Sequence, residues 1–376
     1  VTRGPIPILF SIPNLETAGS RQVLFNLATR LDRRRWDPSV VVLRDGGRLA
    51  DSLRERDIPV VVAPFCVEPR PYATLPLRVL AAARTLRAAL AGPSPRLWHS
   101  FHYRDDYTEP LIARAAGTRR WIYTKKAMGW GSRGWRLRSR LASCIVVDNS
   151  EMIATLFAST GLGRRCRLVR HGVDVERFSR ADRAEPPYRH RLGLPSAAPL
   201  VVSVADLVPI KGHPDLIRAV AACPGCHLAL AGGALDSEYA RSLRELAEGL
   251  GAAERVHRLG RIDDVPALLR EADLFVLASR PPGEGCPVAL LEAMAAGVAC
   301  VATDVPGCRE VVDSPAVGRL VPAERPDELA RALADLLADP PRRRALAVAA
   351  RERVLTEFTV DREVEALSLV YAELSS

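Results

Sequence analysis

Residues 274–307 read LFVLASRPPGEGCPVALLEAMAAGVACVATDVPG. An apolar run, Leu274–Leu277, enters a loop rich in proline and glycine. A helical pattern follows, and then a second β-branched run, Val298–Ala302. Apolar strands without alternation, joined through helices, indicate a parallel sheet buried on both faces. Pro287 suits the first helical position and Gly297 the C′ stop. The helix start is therefore expected to present the amides of Cys286 to Ala289, with the positive end of the dipole, as an anion site. Gly283 and Gly285 allow backbone to approach a ligand closely.

The same rhythm extends in both directions. Expected strands on this side are Leu200–Val204, His227–Ala231, Val256–Leu259, Leu274–Leu277, Val298–Ala302 and Gly318–Val321. An earlier series comprises Ile6–Ile12, Ser39–Leu43, Ile58–Ala63, Leu97–Ser100, Trp121–Thr124, Cys144–Val147 and Arg167–Val169. Helical patterns lie between them, among them Gly19–Asp32, Leu77–Leu90 and Ser150–Ser159. The segment from His171 to Pro199, with its charges and prolines, reads as a connection. The fold class is α/β, with two doubly wound, Rossmann-like domains. Ligands of such sheets bind at the carboxyl ends of the strands, so a cleft between two facing domains is expected.

The chain has 376 residues, 48% apolar and 26% charged, which excludes disordered and fibrous classes. No apolar run approaches the ~18 residues of a membrane span. The first residues lack the pattern of a secretory signal, so a cytoplasmic protein is expected. Basic residues number 53 against 44 acidic, a net charge of +9, and only Lys125, Lys126 and Lys211 are lysines. Such a surface favours anionic partners. No zinc spacing, aromatic RNA-binding strand or recognition helix accompanies the charge, so nucleic acid is not an expected partner. The eight cysteines do not form a disulfide framework, and Cys223-Pro224-Gly225-Cys226 reads as a turn between a helix and a strand.

Glu284 stands in the loop at the helix mouth, and Glu292 follows inside the helix between apolar neighbours. A carboxylate there needs donors, which ribose hydroxyls would supply. Lys211, at the end of another strand of the same sheet, can neutralise a leaving diphosphate. No D-x-D triplet is present, so neither a bridging metal nor a resident cofactor is expected.

Glu284 and Glu292 also form the E-x7-E spacing within EGCPVALLEAMAAGVACVATDVPG. Together with VADLVPIKGH (204–213) and RHGVDVERF (170–178), this resembles the retaining glycosyltransferases of family 4, which have the GT-B fold. ILFSIPNLETAGSRQVLFNLATRL (8–31) is similar to the family's first strand, glycine loop and helix. The resemblance implies transfer of a sugar from a nucleotide-diphosphate sugar, UDP- or GDP-linked, to a hydroxyl-bearing acceptor with retained anomeric configuration. It implies that Glu292 binds ribose and Glu284 the donor sugar, with Lys211 and the segment Gly285, Cys286, Pro287 and Val288 on the diphosphate. Arg261 and Ile262 fall where the family contacts the base, and Gly19 where it approaches sugar and phosphate. It also implies an acceptor domain, 1–171, completed by a crossover helix in 359–376, and a donor domain, 172–358.

Two departures stand out. Ala205-Asp206-Leu207 occupies the place of the family's usual arginine, which makes Asp206 a candidate donor contact. Thr124-Lys125-Lys126 occupies the place of a T-x-H, which puts Lys126 in a catalytic position. The first departure keeps open a non-catalytic nucleotide-sugar-binding relative, against which the presence of both glutamates argues. His102 and Trp130 are candidates for acceptor binding. Gly129 to Gly134 matches G-x-G-x-x-G, but Trp130 stands where backbone should meet pyrophosphate, which argues against a dinucleotide site. Arg119 to Arg140 holds eight basic residues and no acid, interleaved with Trp121, Trp130 and Trp135. Three readings stand side by side: a peripheral patch for the anionic inner face of a membrane, an acceptor loop with tryptophans stacked on sugar, and a solvated face.

Overall fold

The structure, a computed structural model, describes residues 4–375 apart from 17–18, 91, 103–104, 127, 130–131, 180–186, 196 and 235. The chain forms two compact units, one of residues 1–171 with 360–376 and the other of 172–359. Among the described residues no helix is long and apolar enough to cross a membrane.

The first unit holds seven strands: β1 (Ile6–Ser11), β2 (Trp36–Val42), β3 (Val60–Val62), β4 (Leu97–Ser100), β5 (Arg120–Lys125), β6 (Cys144–Val147) and β7 (Cys166–Leu168). All pair in parallel, in the order β3-β2-β1-β4-β5-β6-β7. Alternate residues feed two cores. Ile8, Phe10, Trp36 and Val40 face one side, where the helix Val360–Ser375 brings Val364, Leu367 and Tyr371. Leu9, Val41, Trp98 and Tyr123 face the other. That helix is pinned by polar bonds as well: Trp36 Nε1 donates to Ser368 Oγ at 2.9 Å, and Tyr371 Oη lies 2.6 Å from His99 Nδ1. His99 is also bonded to Thr124 through Nε2 at 2.8 Å, and its full burial pulls the imidazole down to about 3.

The second unit holds β8 (Leu200–Val204), β9 (His227–Ala231), β10 (Val256–Gly260), β11 (Leu274–Leu277), β12 (Cys300–Thr303) and β13 (Arg319–Val321). They too are parallel, in the order β10-β9-β8-β11-β12-β13. In each sheet the strand order reverses once, between β1 and β4 and between β8 and β11. Such switch points are where doubly wound folds open a crevice for ligands.

Four expectations are corrected. Residues 171–199 are not a bare connection: helices Val175–Ser179 and Tyr188–Arg191 belong to the second unit. The Glu271 carboxylate caps the amides of Tyr188 and Arg189 at 2.8 Å each, and Arg189 binds Asp273. The strand expected at Val298–Ala302 is Cys300–Thr303, because Gly297, at φ 76°, ends the preceding helix and turns the chain. The helix expected over Ser150–Ser159 breaks into an α-turn, a π-turn at Ile153–Phe157 and a 3₁₀ turn. Finally, Trp121 and Trp135 are buried and so belong to neither a sugar platform nor a membrane anchor. Their rings, with Tyr123, surround the Arg138 guanidinium at 4.7, 5.8 and 5.3 Å. Trp130 lies outside the described residues. The CxxC is a turn, as read, with both thiols free and buried and Arg255 holding the carbonyls of Cys223 and Cys226.

Arg138 is fully buried. Nη2 binds Glu109 Oε2 at 2.8 Å and Ser100 Oγ at 2.7 Å, while Nη1 binds the Asp106 carbonyl at 2.5 Å. Burial disfavours the Glu109 carboxylate, yet Arg138 and His102 hold it down to about 2. Removing one partner of such a pair strands a charge in the interior. Arg138→Leu is expected to cost about 3–5 kcal/mol in urea unfolding, and adding Glu109→Leu to recover much of that loss.

Candidate functional site

In the second unit the two loops that leave the switch point touch backbone to backbone. Gly212 adopts φ 64°, and a Cβ there would lie 1.9 Å from the Ala278 carbonyl oxygen. A side chain is excluded both by conformation and by space. This contact places Lys211, after β8, against Glu284, after β11: Nζ to Oε1 is 2.5 Å. The same carboxylate oxygen accepts the hydroxyl of buried Ser279, whose carbonyl takes Thr303 Oγ1 at 2.5 Å. Arg280 binds Asp215 through Nε at 2.9 Å and Nη2 at 2.7 Å.

The loop before the helix Val288–Ala295 is clamped from below. A Cβ on Gly283, which has φ 92°, would meet Val305 and Pro306 at 2.9 Å. Gly307 lies under the carbonyls of Glu284 and Gly285 and donates to the Glu284 carbonyl at 3.1 Å. The expected row of free amides is shortened. Pro287, which has no N–H, is the N-cap rather than the first helical residue, and the Val288 amide turns back to the Cys286 carbonyl at 3.1 Å. Pro287 makes no side-chain cap, and among the described residues no side-chain hydrogen bond caps this helix start.

Glu292 projects from the helix between Leu291 and Ala293, both fully buried. It keeps a partial opening to solvent but is set deep among protein atoms. Burial pushes its carboxyl up to about 7, and the Arg177 charge works the other way. Asp206 is half-buried and accepts the Gly233 amide at 3.0 Å, which ties the β8 loop to the β9 loop. Arg261, exposed, lies across Gly233, where a Cβ would be 3.0 Å from its Nε, and Ile262 packs half-buried on the core beside it. Lys211, Glu284, Glu292, Asp206, Arg261 and Ile262 thus all stand near the carboxyl ends of one sheet's strands. Reading the sequence missed Ser279, Gly212 and Gly307, which set the geometry. Only the strand-loop-glycine pattern at Gly212 and Gly307 hinted at them.

In the first unit Gly19 is the N-cap of the helix Ser20–Arg30 at φ 56°, and its carbonyl takes the Gln22 amide at 3.1 Å. Lys126 follows β5. Its Nζ is buried 4.9 Å from the Phe101 ring centroid and has no hydrogen-bond partner among the described residues. Burial draws the ammonium down to about 8, against the charges of Asp148 and Glu363 and with that of Arg21. Asp148 is pushed up to about 6 by burial, and His171 bridges toward it at 3.6 Å and to Glu363 Oε1 at 2.8 Å. Burial opposes charge on His171, but Glu363 and Asp148 outweigh it and raise the imidazole. His102 is 2% exposed, edge-on to Phe65, with Nδ1 3.8 Å from Glu109, so it offers an acceptor almost no surface.

The family description "Glycosyltransferase Family 4" matches residues 17–177, and "Glycosyl transferases group 1" matches residues 185–353. The chain is 36% identical over 203 residues to the GDP-mannose-dependent alpha-(1-6)-phosphatidylinositol monomannoside mannosyltransferase of Mycobacterium tuberculosis, covering 50% of this chain and 51% of that enzyme. It thus spans about half the length of that relative. The enzyme of the same name from Mycolicibacterium smegmatis is 34% identical over 265 residues, covering 66% of this chain and 68% of that one. Among solved structures, Anabaena Alr3699/HepE, crystallised with UDP and glucose, superposes with a TM-score of 0.81 at 22% identity, covering 98% of this chain and all of that one. Two switch-point sheets of this kind, with these families matched over residues 17–177 and 185–353, make the chain a member of the family 4 and group 1 glycosyltransferases with the GT-B fold.

Proposed function

We propose that the protein is a retaining glycosyltransferase that uses a GDP- or UDP-linked sugar and glycosylates a hydroxyl on a phosphate-bearing acceptor. The observation that carries this reading is the Lys211–Glu284 pair at the switch point, with Glu292 one helix turn inside. As the glycosidic bond to the diphosphate breaks, negative charge gathers on the leaving oxygens and positive charge on the anomeric carbon. Lys211 and the uncapped helix start stabilise the former without reorganisation at the moment of reaction. Glu284, fixed by Lys211 and Ser279, orients the donor sugar through hydroxyls. Glu292 accepts ribose hydroxyls, and its Oε atoms supply the charge-assisted bonds that a neutral residue lacks.

The relatives' names support a GDP-mannose donor and a phosphatidylinositol monomannoside acceptor, and the neighbour's bound UDP supports the uridine alternative. A second observation supports an anionic acceptor. Arg21 Nε and Lys126 Nζ are buried nitrogens of cationic side chains without hydrogen-bond partners among the described residues. Such groups are costly unless an anion satisfies them. A lipid-borne acceptor also fits the helix Leu75–Ala89. It exposes Leu77 (69%) and Leu80 (47%) beside Arg84 and Arg87, the composition of a peripheral contact with an anionic membrane.

Glu292→Gln is expected to weaken nucleoside-diphosphate binding roughly 10- to 100-fold at pH 8, measured by calorimetry with GDP and UDP. In the parent, affinity falls as pH drops through about 7 and the carboxylate takes up a proton; in the variant that dependence is flat. The raised carboxyl opposes folding most above pH 7 and less as pH falls toward the ordinary carboxylate range, so Glu292→Gln also flattens stability over that window. Glu284→Ala is expected to lower kcat by roughly 10²-fold with nucleotide binding kept. Nucleotide binding without any transfer by the parent would favour a non-catalytic relative. Lys126→Met is expected to raise KM for a phosphorylated polyol acceptor more than for its unphosphorylated form. Leu77→Glu with Leu80→Glu is expected to abolish co-sedimentation with phosphatidylglycerol vesicles while GDP or UDP binding persists.

A further inference from the structure

At the carboxyl edge of the first unit's sheet, three side chains from separate segments converge that the glycosyl-transfer reading does not use together. Cys66 lies in the segment after β3, His102 two residues past β4, and Asp106 just before the helix Thr108–Ala115. A ring nitrogen of His102, Cys66 Sγ and a carboxylate oxygen of Asp106 all lie within 4.8 Å of one another. Thiolate, imidazole and carboxylate are the three protein donors that zinc takes.

The cluster is under-satisfied as protein alone. His102 Nδ1 and Asp106 Oδ2 are buried with no hydrogen-bond partner among the described residues. Most buried polar atoms in folded proteins have one. The supporting shell is already built. Asp106 Oδ1 accepts both the amide and the hydroxyl of Thr108 at 2.7 Å each, which fixes the carboxylate and leaves Oδ2 over. Glu109 Oε2 lies 3.8 Å from His102 Nδ1 and is held by Ser100 and Arg138, so a fixed negative charge stands beside the imidazole. Two carboxylates face the thiol against the single positive charge of Arg138, so the pocket favours a cation. A cysteine thiol gives up its proton when it ligates a metal ion, so binding here is coupled to proton release.

We infer that Cys66, His102 and Asp106 form a binding site for one zinc ion, which staples the segment after β3 to the segment after β4. The step is an exchange: the Cys66 S–H bond breaks, a sulfur–zinc bond forms, and one proton is released to solvent. Zinc bonds of about 2.0–2.3 Å in tetrahedral geometry separate ligand atoms by about 3.3–3.8 Å. The trio therefore needs to close by no more than about 1.5 Å on binding, through side-chain rotation. Three protein ligands leave the fourth position to water. The sulfur and nitrogen donors select zinc or cobalt over magnesium and calcium, which prefer oxygen alone.

The test uses the full chain, stripped with a chelator and titrated with Co²⁺ as the spectroscopic probe. The expected result is one equivalent bound with a sulfur-to-cobalt charge-transfer band, displaced by one equivalent of Zn²⁺ with release of one proton. Zn²⁺ then raises Tm of the parent, as any ligand specific to the folded state must, whereas Mg²⁺ does not. Cys66→Ser loses the band, and Asp106→Asn weakens binding at least tenfold. Tryptophan emission, whose five sources all lie between residues 36 and 135, shows that the first unit of each variant is folded. Absence of the band in the parent overturns the inference, and so does an equal band in folded Cys66→Ser, which would assign the metal to another thiol.

Discussion

The close approach of Gly212 to the Ala278 carbonyl is the constraint on which the second unit's site depends. Two loops from neighbouring strands meet there with no side chain between them, and the distance between Lys211 and Glu284 follows from that contact. The second layer repeats the device. Gly307 allows the chain after β12 to pass under the Glu284 and Gly285 carbonyls, and Gly283 allows the loop to sit on Val305 and Pro306. Three glycines thus fix a charged pair by backbone contact rather than by long, mobile side chains, which is what preorganised electrostatics requires.

Much of this was legible in the chain because buried parallel strands announce themselves as short apolar runs. Ile6–Ser11, Leu97–Ser100, Cys144–Val147, Leu200–Val204, His227–Ala231 and Leu274–Leu277 are such runs, and the sequence places them to within a residue. The spacing of Glu284, Glu292 and Lys211 was equally legible, since each stands at a strand end or on the first turns of the helix that follows. What was not legible depends on contacts between distant segments. Trp121, Trp135 and Arg138 look in sequence like a basic, aromatic surface. Only their meeting with Glu109, on another helix, turns them into a core. The Val288 amide could not be known to turn onto Cys286, because the loop's φ/ψ values, not its composition, decide that.

The first unit carries an unusual load of buried charge. Arg138–Glu109, His171–Glu363 and Asp148 all lie inside, and Lys126 Nζ is set among them without a hydrogen bond among the described residues. A buried pair offsets only part of the cost of desolvating its two charges, whereas a charge that loses its partner is strongly destabilising. Arg138 and Lys126 differ in this respect: Arg138 has Glu109 as its ion-pair partner, whereas Lys126 Nζ has no hydrogen bond among the described residues.

The helix Val360–Ser375 has a consequence for how the chain acquires its structure. It completes the first unit's core beside Trp36, His99 and Phe10, yet it is made only after every residue of the second unit. On the ribosome the first sheet must wait with one apolar face bare, while the second unit can already close. His171 leaves the first unit and Glu363 returns to it, and their bond joins the two ends of that excursion. Closing so long a loop carries an entropic cost that grows only logarithmically with length, and a second unit already folded shortens the effective span. The inserted unit is thus complete in the chain before the unit that surrounds it, whose last core helix is made only afterwards.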